Sequence, residues 1–299
     1  MRQRAVDSGL LVQPGRAVHL DVFDHGLRLR LADGMELQAA ILVDASGAAQ
    51  WTARQMGGRG STYISRCYGQ RLTGCAVEEP QTFAFLAPHQ RFGNGGGWLY
   101  PLGEGALSAG YSLVTPAQQA PRDTAWRWAA ARADFPLLAR QMTGAAQVSV
   151  EGGAIPVGRV ERFCDDRILR VGDAAGQANP WSVEGCRPAL ENGVLAAQVI
   201  AYAFRSNNFE RAVLDRFEIA WKKDNRERFW RTASVAELHW GRSDADWEHF
   251  LRRYGQIPPA RQYIDLRENR TNIFGQVYSW LGFARRRSLK WLRQIGKPR

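Results

Sequence analysis

Cysteine is scarce in this chain. Its 299 residues hold four, Cys67, Cys75, Cys164 and Cys186, with no C-x-x-C pair among them. That excludes a disulfide scaffold and a zinc ribbon and fits a reducing compartment. Histidine is almost as sparse, and no His, Cys, Asp or Glu pattern has metal-ligand spacing, so no metal is expected. Long apolar runs are missing too. None reaches the roughly 20 residues of a membrane span, and the first residues lack the apolar core of a signal peptide. The expectation is a cytoplasmic protein, soluble or peripheral to a membrane. The other deficit is negative charge: 29 Asp and Glu stand against 40 Lys and Arg, a net charge of +11, which asks for an anionic partner. Hydrophobic content of 45% and charged content of 23% are ordinary for a folded chain, so wholesale disorder is excluded.

The most informative stretch that is present runs from Arg167 to Ile200. Ile168, Leu169 and Val171 read as a strand that ends in Gly172-Asp173. A loop of small residues with Pro180 follows, and Ala189-Leu190, Gly193 and Ala196-Ala197 then recur at helical spacing. A strand-end carboxylate beside a glycine-bearing helix start suits a sugar-phosphate ligand, because helix N-terminal amides favour anions and glycine permits close backbone approach. Upstream, Val18, Leu20 and Val22, then Leu27, Leu29 and Leu31, alternate between turns at Asp24-His25-Gly26 and Asp33-Gly34, which predicts a β-meander. It leads into Ala39 to Gly47, an apolar run ending Asp44-Ala-Ser-Gly47 that suits a buried strand of a parallel sheet. Residues 81 to 114, with Phe83, Phe85, Trp98, Tyr100, Pro101 and Tyr111, read as antiparallel strands, and 124 to 142 as a helical piece. By residue type, the aromatics serve a sheet core more often than a substrate wall. Beyond Ile200 the chain is predominantly helical. The segment 269 to 299 has no acidic residue and spaces Trp280-Leu281 and Trp291-Leu292 among arginines and lysines, which fits an anionic membrane surface or a solvated helix. No nucleic-acid-binding motif accompanies the charge, so no nucleic acid is expected.

Gly172-Asp-Ala-Ala-Gly176, Pro180, Glu184-Gly185, Ala189-Leu-Glu191, Gly193 and Ala196-Ala197, preceded by Asp44 to Gly47, resemble the motifs of FAD-dependent oxidoreductases of the p-hydroxybenzoate-hydroxylase type, and within these the geranylgeranyl reductase family. Val183 stands where that family has its first glycine. No Gly-x-Gly-x-x-Gly occurs anywhere in the chain, so the portion that holds the ADP half of FAD in this family is expected to be missing. The resemblance implies a mixed α/β fold. Residues 1–60 and 155–205 would form a partial FAD-binding, Rossmann-like domain, 61–154 an antiparallel β-sheet substrate domain, and 206–299 a helical C-terminal region with a basic amphipathic tail. It also implies FAD as cofactor, contacted by Asp44, Gly47, Gly172, Asp173, Ala174, Pro180 and Gly185, with Asp173 on the ribityl chain. Trp98, Tyr100, Pro101 and Trp181 would meet an apolar or lipid-like substrate, and NAD(P)H would supply electrons to reduce an isoprenoid double bond. Flavin-dependent halogenases carry a similar Trp-x-Trp-x-Ile-Pro segment, so a monooxygenase or halogenase is the first alternative. A non-catalytic remnant that binds a membrane or a partner protein is the second. The residues leave the catalytic group unassigned.

Overall fold

The computed structural model describes residues 2–86, 90–93, 95–121, 124–158, 160–179, 183–225 and 243–258. In chain order the elements are helix α1 (Arg2–Asp7), strands β1 (Ala17–Phe23), β2 (Gly26–Leu31), β3 (Glu36–Ala39) and β4 (Leu42–Asp44), and helix α2 (Trp51–Gln55). Strands β5 (Tyr63–Thr73), β6 (Ala84–Leu86), β7 (Gly95–Gly103) and β8 (Ala106–Pro116) come next, followed by helices α3 (Ala125–Asp134) and α4 (Pro136–Gln141). The rest comprises β9 (Ala146–Val157), β10 (Cys164–Asp165), β11 (Ile168–Arg170) and helices α5 (Cys186–Arg205), α6 (Arg211–Asn225) and α7 (Asp244–Tyr254). The basic segment 269–299, with Pro180 and Trp181, lies outside the described residues. Among the described residues, no helix is long and apolar enough to cross a membrane.

The meander forms as its alternation predicts: β1, β2 and β3 pair antiparallel in that order, and Gly34, at a φ of 88°, makes the second turn that a side chain would strain. The apolar run after it yields a shorter strand than expected. Only Leu42–Asp44 are extended, and they pair in parallel with Ile168–Arg170 in a three-stranded sheet of order β10-β11-β4. The predicted helix over 124–142 is two helices. Pro136 has no N–H to donate and drives the residue before it out of the helical region, so Phe135 is extended (ψ 110°) between α3 and α4.

Strands β6-β7-β8-β5-β9 form one antiparallel sheet whose two faces differ in kind. Side chains opposite one another in such a sheet share a face. Leu72, Leu99, Leu107, Ala109 and Tyr111 pack against Trp128, Ala131, Leu138 and Met142 of α3 and its continuation, forming one core. The other face carries glycine, serine and Trp98, and is covered by no helix of that core. A second core lies where α5 and α6 cross β10 and β11, with Ala196, Ala203, Leu214, Phe217 and Trp221 against Phe163, Cys164 and Leu169. α6 packs on β10 and β11, and α5, with alanine among its buried positions, packs on α6 and on the turn after β11. Burial there pushes the Cys164 thiol up, and its Sγ donates to the Leu214 carbonyl at 3.3 Å.

A buried polar chain ties the small sheet to the turn beyond it. Arg170 is 1% exposed, and its Nη2 donates to Asp165 Oδ2 at 2.6 Å and its Nε to Thr52 Oγ1 at 2.8 Å. The Thr52 hydroxyl donates in turn to Asp44 Oδ2 at 2.6 Å. Removing Arg170 takes the closer of two cations from the buried Asp165, leaving Arg162 at 3.4 Å, and strips Thr52 and the Arg162 carbonyl of their donor. Arg170→Met is therefore expected to lower folding stability by about 3 kcal/mol, measured by chemical denaturation. A loss below about 1 kcal/mol, the worth of an exposed pair, would show that the network does not carry that load.

Candidate functional site

The strand-to-helix turn after β11 is built from backbone bonds that only small residues permit. Val171 N–H donates to the Asp44 carbonyl at 3.0 Å, which extends the β4–β11 register to the strand ends. Gly172 then enters the left-handed region (φ 58°), Gly172–Ala175 form a single 3-10 turn, and Gly176 (φ 68°) closes it. Gln177 locks this turn: its Oε1 accepts from Gly172 N–H at 2.8 Å, and its backbone N–H returns to the Gly172 carbonyl at 3.1 Å. Its Nε2 is buried without a hydrogen-bond partner among the described residues. From the other side Gln50, itself left-handed (φ 45°), donates its Nε2 to Ser61 Oγ at 2.8 Å and to the Asp173 carbonyl at 3.2 Å.

The two aspartates that read alike in the sequence are placed in opposite conditions. Burial alone would push the Asp44 carboxyl up. Hydrogen bonds from Ser46 N–H at 2.8 Å, Thr52 N–H at 2.9 Å and the Thr52 hydroxyl outweigh it and hold the group below the usual carboxylate range. Asp44 thus spends both oxygens shaping its own turn. The Asp173 carboxylate is half-buried, has no hydrogen-bond or ion-pair partner among the described residues, and is pushed up by burial. It faces the start of α5, where a Cβ added to Gly185 would come within 3.3 Å of Asp173 Oδ1. Ala174 is fully buried behind it. Gly47 opens the short turn before α2, at a φ of 64°, where no Cβ would meet a neighbour.

Val183 adopts a φ of 58°, in the left-handed region. That conformation explains a glycine requirement at this position, since a β-branched residue is strained there. Its N–H donates to the Asn179 carbonyl at 2.8 Å, and Asn179 N–H to the Glu184 carbonyl at 2.8 Å, so the loop closes on itself. The valyl side chain packs against Val114 and Val157, with Tyr63 and Ile155 beside it, at one end of the open face of the large sheet. Glu184 turns back to accept from Arg187 N–H at 2.7 Å, the role of an acid at a helix start.

On that open face, the Trp98 indole lies across Gly110 and Gly69. A Cβ at either glycine would fall 2.5 Å and 2.7 Å from the ring. Tyr100 stands two residues on, in an edge-to-face trio with Phe83 and Phe85 at centroid distances of 5.6 to 6.0 Å. An open cleft of about 390 Å³ lies there, lined by 80–83, Phe85, Tyr100 and Pro101. Burial pushes the Tyr100 phenol up, with Cys67 and Glu184 near enough to add to it. The residues assigned from sequence therefore converge: Gly172, Asp173, Ala174 and Gly185 form one wall, and the loop at Val183 and Glu184 carries that wall to the face bearing Trp98 and Tyr100. The sequence reading missed Gln50, Thr52 and Gln177. Each is a polar residue next to a motif glycine or aspartate, and burial, which sequence does not display, is what gives it a role.

A small parallel-paired sheet with a glycine-bearing turn, joined to a five-stranded antiparallel sheet and backed by helices, is the architecture of FAD-binding oxidoreductases of the geranylgeranyl-reductase type. No family model matches the chain. Digeranylgeranylglycerophospholipid reductase 2 of Methanopyrus kandleri is 30% identical over 230 residues, which are 74% of this chain and 58% of that protein. Menaquinone reductase of Mycobacterium tuberculosis is 29% identical over 67% of this chain and 51% of its own length. Among solved structures, a geranylgeranyl bacteriochlorophyll reductase-like protein of Thermoplasma acidophilum superposes with a TM-score of 0.65 at 20% identity, covering 77% of this chain and 59% of that one. A flavin-dependent brominase superposes with a TM-score of 0.66 at 18% identity, covering 88% and 66%. The chain belongs to this superfamily of FAD-dependent oxidoreductases, and it spans little more than half the length of the curated relatives it matches.

The unpartnered Asp173 sets a sign. A carboxyl raised by burial costs the folded state stability at every pH above its ordinary value of about 3.9, and the cost is relieved as pH falls through the raised folded value. Asp173→Asn is expected to raise the thermal midpoint of the ligand-free protein at pH 7. A lowered midpoint would show that the carboxylate has a favourable partner.

Proposed function

We propose that this chain forms the flavin- and substrate-facing part of an FAD-dependent reductase that saturates carbon–carbon double bonds in an isoprenoid-bearing lipid or quinone, with NAD(P)H as electron donor. The observation that carries this reading is Asp173: a half-buried carboxylate without a partner among the described residues, set between a left-handed glycine turn and the glycine start of a 20-residue helix. The donor and acceptor set fits a flavin. Asp173 offers an acceptor to the ribityl hydroxyls, Gly185 keeps a Cβ off the Asp173 carboxylate, and the buried Gln177 Nε2 is a donor with no acceptor among the described residues.

A bound flavin supplies hydride chemistry between a nicotinamide and an acceptor double bond, which protein side chains alone do not. The chain's own part is to bind, orient and exclude water. Asp173, Gly172, Ala174 and Gly185 would hold the cofactor, while Asp44 and Gly47 shape the turn beside them. Pro180 and Trp181, outside the described residues, would stand against the ring. Trp98, Tyr100 and Pro101, with the exposed Phe83 and Phe85, would offer a long apolar chain a wall it can enter from the sheet edge. The basic segment 269–299 would bring the protein to an anionic membrane surface where such substrates reside.

Both named relatives are reductases, and their names point to a lipid and to a quinone. The brominase likeness supports the fold alone.

The reading is tested by joining the chain to a Gly-x-Gly-x-x-Gly nucleotide-binding portion, titrating the product with FAD while following flavin fluorescence, then reducing the complex with NADPH without oxygen and adding a geranylgeranyl lipid or a menaquinone. Binding that Asp173→Asn weakens about tenfold, the worth of a charge-assisted hydrogen bond, is expected, with flavin reoxidised and the product two hydrogens heavier. Absence of flavin binding by the chain joined to a Gly-x-Gly-x-x-Gly nucleotide-binding portion would overturn it. A hydroxylated or halogenated product formed with oxygen would move it to the monooxygenase class, and binding to anionic vesicles without any flavin to a non-catalytic role.

A further inference from the structure

The open face of the large sheet carries one polar device that the flavin reading leaves unused. Trp98, Gly110, Gly69 and Glu151 stand in register across β7, β8, β5 and β9. Because opposite residues project from one face, the two glycines leave a lane without side chains between an indole and a carboxylate. The indole lies in that lane, within 2.5 Å of where a Gly110 Cβ would be and 2.7 Å of a Gly69 Cβ. In this pose its Nε1–H donates to Ser108 Oγ at 3.3 Å, and the Ser108 hydroxyl donates to Glu151 Oε2 at 2.5 Å. Ser108 is buried and Glu151 half-buried, so both bonds lie partly out of water, where they hold geometry best. An indole on a bare glycine lane has several staggered rotamers open to it, and the two bonds select one.

We propose that Glu151, acting through Ser108, is a positioning residue that pins the Trp98 indole over Gly69 and Gly110, so that the site presents a fixed aromatic surface to an unsaturated segment of the substrate. The use of that surface rests on the reductase reading; the pinning does not. Its test needs neither flavin nor substrate, so the two fail separately.

Indole N–H resonances of the full chain are assigned for Trp98 by Trp98→Phe, and their hydrogen exchange is compared among variants. The Trp128 indole, which donates to Gln70 Oε1 at 2.9 Å on the opposite face, is the internal control. Glu151→Ala and Ser108→Ala are expected to speed Trp98 exchange about tenfold or more, as the loss of a hydrogen bond to a charged chain implies. Glu151→Gln keeps the acceptor and is expected to stay within about twofold of wild type by the same reasoning, with Trp128 unmoved throughout. Trp98 exchange unchanged in Glu151→Ala, or not restored by Gln, overturns the proposal. Should Glu151→Ala also release Trp128, the sheet has opened and Ser108→Ala decides: Trp98 faster with Trp128 unmoved supports pinning, and any other outcome overturns it.

Discussion

Asp44 and Arg170 end two strands that run side by side in parallel, and the way their side chains are joined through Thr52 fixes everything downstream of both strands. The guanidinium has no water to turn to, so it must reach Asp165, the Arg162 carbonyl and the Thr52 hydroxyl at once. Thr52 accepts from Arg170, which leaves its one O–H for Asp44, and Asp44 has further capacity for the amides of Ser46 and Thr52 itself. This polarity gives the chain one arrangement at the strand ends. With Val171 bonded to the Asp44 carbonyl, the Gly172 turn leaves the sheet in a single direction. A salt bridge this deep adds little net stability over apolar replacement of both partners together, although loss of one alone is costly. Its contribution is to specify where Asp173 goes.

That division of labour explains how the two motif aspartates differ. Asp44 is saturated and its acidity rises with each donor. Asp173 is left half-buried and unpaired, a state that costs stability unless something outside the protein satisfies it. Unpaired polar groups at a glycine turn are expected where a ligand binds, because the free protein there carries a cost that binding removes. The buried Nε2 of Gln177 in the same turn belongs to the same pattern.

Much of this was legible in the sequence, and the reasons are physical. The meander was visible because period-two alternation between Asp-Gly and His-Gly turns has few other solutions, and the turn after Arg170 because glycine, small residues and helical periodicity follow one another within a few positions. Two things were hidden. The parallel sheet is shorter than its apolar run because Ala39 and its neighbours serve β3 and a connection, a division that hydrophobicity does not mark. Arg167 is the clearest case of a silent residue. At a φ of 62°, it donates to the carbonyls of Phe23, Asp24 and Ala40 and stacks 5.0 Å from Phe209, joining four segments that the sequence reading treated apart.

Val183 shows where motif reading and physics part. A motif scan records a valine where glycine belongs and counts it as a poorer fit. The backbone keeps the left-handed turn nonetheless, at a φ of 58°, so the geometry that glycine would supply is present without glycine. Left-handed backbone costs a side-chain-bearing residue about 1–2 kcal/mol. Burying a valine side chain returns roughly 1.5–3 kcal/mol, and Val183 is buried against Val114 and Val157. The packing term is the larger, so the valine holds the loop down on the end of the sheet face at least as firmly as glycine would. What it changes is space: a branched side chain now fills the corner between loop and sheet, against Val114 and Val157.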